Sequence, residues 1–472
     1  MVDEQFKQQV DAYVDEVWED VVADIARLVR HESVEDLSAA EPGKPWGPAS
    51  NAALVEAEQM AERLGLEVTD VDGYLGFADV PGASGAQRYL ATIAHTDIVP
   101  LGLGWTMPAL EVTRKDGWLV GRGVQDDKGP FVLSLYAANF FARRVAAGET
   151  LPYTLRCIIG NNEETGMGDV PYYLERYPEP LFCFSPDADF PLICGEKGLY
   201  QGRFTSGQVA GEKIVELDGG TVPNAICGQA TAVVRADAAT LPAAERVEVE
   251  PAGEGLARVI ATGIGGHASM PAGTVNAIGV LARYLLAQGL AGEGERGFLE
   301  LLVTLTEDAY GRASGIAAAD DKFGELTCVA GTVRTVDGRF VQTVDSRYPT
   351  TTTGEAITAR LSELAAEHGC SYEQTSGDAP FYVSPDSPEI QALLATYGEY
   401  TGKRAEAFTI GGGTYARHFA RACAFGPNDP DEERPAWAGT EHGPDEAISE
   451  KSLRQALKIY IVAIARLMEL DL

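Results

Sequence analysis

The stretch Tyr89-Leu-Ala-Thr-Ile-Ala-His95-Thr-Asp97-Ile-Val-Pro100 decides how this chain folds. A short, mostly apolar run leads to a histidine, and an aspartate and a proline follow. Such a run, bounded by turn signals, reads as a strand buried on both faces, as strands of parallel sheets are. Similar runs occupy residues 153–159 and 181–184. Between them, residues 128–147 place Phe131, Leu135, Ala138, Phe141 and Val145 at helical spacing. Strands alternating with helices predict an α/β fold whose central sheet is mostly parallel and flanked by helices. Two further helices are expected. One carries Phe6, Val10, Val14, Val17, Val21, Ile25 and Leu28 on one stripe; the other spans residues 449–470 with Leu453, Leu457, Ile461, Ile464 and Met468.

From about residue 199 the texture changes. Strand-like stretches appear at 230–235, 246–249 and 339–344, and helical patterns follow Gly263-Ile-Gly-Gly-His-Ala-Ser-Met-Pro271 and cover 354–368. Residues 198–381 are therefore expected to form an inserted α+β lid domain with two similar halves. Residues 1–197 and 382–472 would form the metal-binding catalytic domain.

The polar residues fall where an α/β sheet binds its ligands. His95, Asn162-Glu163-Glu164 and Asp187 each come just after a predicted strand, and ligands of open α/β sheets sit beyond the carboxyl ends of the strands. Asp126, in Gln125-Asp-Asp-Lys-Gly-Pro130, precedes a helix; His442, in Thr440-Glu-His-Gly-Pro-Asp-Glu446, precedes the last one. Two imidazoles with several carboxylates form a ligand set for a pair of divalent ions, and such a pair activates water for hydrolysis. A carboxylate that holds both ions must lie between them, because paired metals stand about 3.5–4 Å apart. Asp126 is the candidate bridge, with His95 and Asp187 on one ion and Glu164 and His442 on the other. Neighbouring side chains leave a strand in opposite directions. Glu163 is thus expected to face the attacking water as general base while Glu164 binds metal. Asp97 is placed to fix the tautomer and orientation of His95. His267, between a glycine-rich turn and Ala268-Ser-Met-Pro271, could donate to the oxyanion of a tetrahedral intermediate from a mobile lid. Arg347 could grip a substrate carboxylate or form an ordinary salt bridge.

Composition narrows the class. The 472 residues hold 37 Lys and Arg against 70 Asp and Glu, a net charge of −33, which argues against nucleic-acid and anionic-membrane partners. The seven cysteines include no CxxC spacing, which argues against a zinc ribbon or a disulfide framework. The sequence contains neither a signal-peptide pattern nor an apolar run of about 18 residues, so the cytoplasm is the expected compartment.

The ordered motifs resemble the dinuclear metallopeptidase family that includes dipeptidase V, carnosinases, aminoacylases and succinyl-diaminopimelate desuccinylase. They are His95-x-Asp97-x-Val-Pro100, Gly121-Arg-Gly-x-x-Asp126-Asp-Lys-Gly129, Glu163-Glu164, Ser185-Pro-Asp187-Ala-Asp-Phe-Pro191, Gly265-Gly-His267-Ala-Ser and His442. Ser346-Arg-Tyr-Pro349 and Ile410-Gly-Gly-Gly-Thr-Tyr-Ala-Arg417 incline it towards the dipeptidase V branch. The resemblance implies the metal and base roles above, a transition-state contact from His267 and a C-terminal carboxylate contact from Arg347. It implies further substrate contacts at Gly413 and Thr414, and two divalent ions per subunit, zinc first, with manganese or cobalt as alternatives. It also implies an enlarged lid that lets a monomer be active. An asparagine that binds substrate in that branch would fall near Gly220, which has no side chain; Asn224 stands close by as a substitute. The expected activity is hydrolysis of dipeptides with a free C-terminal carboxylate. The rivals are a deacylase of N-acetyl or N-succinyl amino acids on the same metals and a non-catalytic binding protein that kept the fold.

Overall fold

The computed structural model describes residues 2–209 and 211–472. The chain divides into two compact units: Met1–Gly195, Tyr382–Phe408 and Thr414–Leu472 form one, and Glu196–Phe381 with Thr409–Gly413 form the other.

The first unit is built on a mixed sheet. Six of its nine strands run in the order Glu67–Val71, Leu75–Val80, Thr154–Gly160, Tyr89–His95, Phe182–Ser185, Ala422–Ala424. The four from Thr154–Gly160 onward are mutually parallel, and the hairpin at the edge is antiparallel. Every residue of Tyr89–His95 and Thr154–Gly160 is buried, as expected where helices cover both faces. Helix Lys128–Ala146 is buried all round from Lys128 to Phe141, so packing rather than amphipathicity sets its place. Its neighbours include Glu4–Val29 and Glu450–Leu467. Glu4–Val29 starts where the Asp3 carboxylate accepts from Phe6 N at 2.8 Å, and its buried stripe includes Phe6, Val10, Val14, Val17, Val21, Ile25 and Leu28. A small antiparallel sheet, Ala447–Ser449 on Trp118–Val120 on Thr113–Lys115, places the segment leading to Asp126 beside the one that follows His442.

The second unit holds an eight-stranded antiparallel sheet in the order Val247–Pro251, Ala257–Thr262, Gln229–Val234, Ile214–Gly219, Thr327–Val336, Arg339–Tyr348, Gly198–Thr205, Ser371–Asp378. Two four-stranded sets meet where Asp218 and Gly219 pair with Arg334 and Val333. Helices Ala277–Ala287 and Glu293–Leu305 follow strands of the first set, and Gly354–Glu367 follows a strand of the second. The strip Thr409–Gly413 is tied to this unit: Lys197 N donates to Ile410 O at 2.9 Å, and Thr409 Oγ1 to Lys322 O at 2.6 Å.

Candidate metal centre

His95 ends its strand fully buried, and its two ring nitrogens have different neighbours. Nδ1 lies 3.0 Å from the Asp97 carbonyl and 3.4 Å from Asp97 Oδ1. A carbonyl only accepts, so Nδ1 carries the hydrogen and Nε2 is left for the cleft. Nε2 is 3.0 Å from Asp126 Oδ1 and 3.6 Å from Asp187 Oδ2. On the other side, His442 Nε2 is 2.9 Å from Asp126 Oδ2 and 3.1 Å from Glu164 Oε2. Asp126 thus offers one oxygen to each imidazole. Two sets of ligand atoms, His95–Asp126–Glu164 and His95–Glu163–Asp187, each lie within 4.8 Å of one another.

The electrostatics favour positive charge at this point. Hydrogen bonds to Asp126 and then Glu164 raise His442 to about 11. Burial disfavours the His95 imidazolium, yet Asp126, Asp187 and Asp97 together lift it well above its usual value. Burial pushes Glu163 and Asp187 upward and brings Glu164 to about 7. Asp126 and Asp187 lie within ion-pair distance of His95, and Asp126 and Glu164 within ion-pair distance of His442. Imidazole and carboxylate donors that converge in this way fit divalent cations.

Asp97 has a second task. It is buried, and its carboxylate accepts from Glu163 N at 3.2 Å and Glu164 N at 3.1 Å. These glutamates lie in a turn beyond the strand Thr154–Gly160, so strand alternation does not separate them. Both carboxyls join the cluster because the turn, pinned by Asp97, presents them together.

Several buried groups near the cleft carried no signal in the sequence. Asp127 Oδ2 accepts from His95 N at 3.0 Å. Tyr415 donates to Asp169 Oδ2 at 2.6 Å, accepts from Asn162 N at 3.2 Å, and sets its ring edge-on to His95 with centroids 6.3 Å apart. A side chain at Gly160 would collide with Tyr415, since its Cβ would stand 2.4 Å from the ring. Thr414 Oγ1 caps the turn Tyr415–His418 by accepting from Ala416 N at 3.1 Å.

His267, Arg347, Asn224 and Gly413 belong to the second unit, and Thr414 to the first. His267 is exposed, with Nδ1 2.7 Å from Ser269 Oγ. Its backbone pairs with Ala225, and Ala268 N donates to Asn224 O at 2.9 Å, so Asn224 and His267 lie side by side. Arg347 is an ion-pair partner: Nε and Nη2 bond Asp345 Oδ1 and Oδ2 at 2.8 and 3.2 Å, and Gln201 Nε2 donates to the same carboxylate at 2.9 Å. At Gly220 the φ is +74°, and a Cβ would stand 2.0 Å from Gly331 O, so no side chain fits there.

Comparison with known proteins identifies the family. A family model described as "Peptidase family M20/M25/M40" matches residues 91–466. The chain is 30% identical over 471 residues to the putative dipeptidase YtjP of Bacillus subtilis (strain 168), covering 95% of this chain and 97% of the relative. It is 29% identical over 450 residues to the Beta-Ala-Xaa dipeptidase of Lactobacillus delbrueckii subsp. lactis, covering 90% and 91%. The structure of human carnosine dipeptidase 1 matches in fold with a TM-score of 0.60 at 14% identity, covering 98% of this chain and 99% of that one. These matches agree with the family anticipated from the ordered motifs, and the chain belongs to peptidase family M20/M25/M40.

Proposed function

We propose that this peptidase is a dinuclear metal-dependent dipeptidase acting on short peptides with a free C-terminal carboxylate. The observation that carries the reading is Asp126, whose two carboxylate oxygens face His95 and His442 at 3.0 and 2.9 Å. The dipeptidase names of the relatives support the substrate class. His95 and Asp187 would hold one ion and Glu164 and His442 the other, with Asp126 shared. When bound, the ions supply Lewis acidity to the scissile carbonyl and acidify the attacking water. Zinc, manganese and cobalt all suit imidazole and carboxylate donors.

The side chains do the rest. Glu163 takes the proton of the attacking water on its carboxylate and returns it to the leaving amine nitrogen. Burial raises the Glu163 carboxyl, which suits a group that must both accept and donate near neutrality. Asp97 orients His95 and the Glu163–Glu164 turn. His267 donates to the developing oxyanion, and Arg347 binds the substrate carboxylate. Asn224, Gly413 and Thr414 complete the substrate contacts. We place the activity in the cytoplasm. Two observations support this: the cysteines are free thiols, and no described helix is long and apolar enough to cross a membrane.

The test is a substrate panel run with added zinc, manganese and cobalt. Alanyl and β-alanyl dipeptides should be hydrolysed with each active metal, and their amides slowly. Hydrolysis of N-acetyl or N-succinyl amino acids with the dipeptides untouched would replace this reading with a deacylase. No turnover of any substrate with any of the metals would leave a binding protein.

A further inference from the structure

Glu446 is fully buried and accepts from an unusual number of backbone groups. Its Oε1 lies 2.9 Å from Gly123 N, 3.0 Å from Gln125 N and 3.2 Å from Asp126 N. Its Oε2 takes Arg122 Nη1 at 2.6 Å, and Arg122 is 1% exposed. The second limb of that guanidinium, Nη2, reaches His442 O at 3.2 Å and Leu101 O at 3.3 Å. One buried ion pair therefore grips both loops that bring a residue onto Asp126: the loop of Asp126 itself and the loop of His442.

The His442 loop needs such support. His442 and Asp445 have φ of 60° and 53°, a left-handed conformation that residues other than glycine rarely adopt and that the surroundings must enforce. Asp445 is held at 2.9 and 3.0 Å by Thr106 N and Met107 N. A second tie runs through Gln125, which donates to Glu441 at 2.6 Å and accepts from Arg434 at 2.8 Å.

Resting on the metal reading above, we infer that Glu446 and Arg122 are positioning residues for the metal pair. They fix the separation of the Asp126 and His442 loops, and hence the spacing of the donors, without touching metal or substrate. A structural ion pair alone would contribute stability and leave metal affinity unchanged; a positioning pair sets metal affinity.

The test titrates manganese or zinc into metal-stripped full-length protein against a chelating indicator, and in parallel measures the thermal midpoint of the metal-free protein. The variants are E446A, E446Q and R122K. A control, D79A, breaks the buried Arg156–Asp79 pair (2.7 Å) elsewhere in the same unit. Outer-shell partners of metal ligands are typically worth about 10- to 100-fold in metal affinity. E446A should lose that much. E446Q keeps an oxygen for the three N–H groups but turns an amide NH2 towards Arg122 Nη1, so its loss should be smaller than that of E446A but measurable. R122K keeps the charge but not the reach to His442 O and should fall between them. D79A should lower the thermal midpoint while leaving metal affinity unchanged. Wild-type affinity in E446A, or an equal loss in D79A, overturns the inference. If E446A does not fold, wild-type affinity in R122K overturns it. Failure of the wild-type protein to bind metal would instead remove the underlying metal reading, so the two failures are distinct.

Discussion

His95 of the first unit and His267 of the second sit in contrasting surroundings. His95 is fully buried, and its ring, its backbone N–H and the turn beside it are held by Asp97 and Asp127. His267 is exposed on a two-residue strand, and one contact of its ring is with a serine two residues on. A cation held here would require donors fixed to within a fraction of an ångström, and the hydrogen bonds around His95 supply that fixity. A group that meets substrate only during turnover gains from freedom to move. Burial with committed partners at His95, and exposure at His267, is the lesson of the contrast.

The sharpest attempt to break it is at the shared carboxylate. Asp126→Ala should abolish dipeptide hydrolysis and leave fewer than two ions per chain by elemental analysis; two ions retained would show that the bridge lies elsewhere. Next comes Glu163→Gln, which should lower kcat by about 10²- to 10⁴-fold, the range of general acid–base catalysis, while both ions remain bound. Activity within threefold of wild type would remove Glu163 as the base. Arg347→Ala should raise KM for free dipeptides by about 10- to 100-fold, the equivalent of a charged hydrogen bond of about 1.5–3 kcal/mol. Equal losses on dipeptide amides would assign Arg347 to its Asp345 pair alone. The thermal midpoint must be measured alongside, because the variant leaves Asp345 buried without its cation, with the Gln201 amide still donating to it.

The smallest expected effect lies in the scaffold rather than in either functional region. Burial, reinforced by Asp70, pushes Glu58 up to about 8. Between its unfolded value near 4.5 and about 8, the folded chain keeps a proton that the unfolded chain has released. Stability from this group is therefore full below pH 4.5, declines as pH rises, and is gone above 8. Urea midpoints of Glu58→Gln should fall less steeply across that window than those of wild type. Parallel slopes would show that Glu58 ionises normally.

Much of the architecture was legible because it follows from periodicity. The apolar runs ending at His95 and near Ile159 became parallel strands, and the stripe from Phe6 to Leu28 became a buried helix face. The donors were legible as residue types following strand ends. Less was legible where the outcome depends on what a loop meets. The Glu163–Glu164 pair falls in a turn, and the Asp97 carboxylate beneath it accepts from both backbone N–H groups. Glu446 was visible only as the end of the His442 segment; its burial beside Arg122 and three backbone N–H groups emerges from the fold.

The sequence by itself determined the layered α/β plan, the family and the kinds of donor available, because hydrophobic period and residue chemistry are local properties. Tertiary structure alone decided which carboxylate faces two imidazoles, which arginine is already paired, and which glycines tolerate no side chain. Those outcomes depend on distances between segments hundreds of residues apart, which are set by packing.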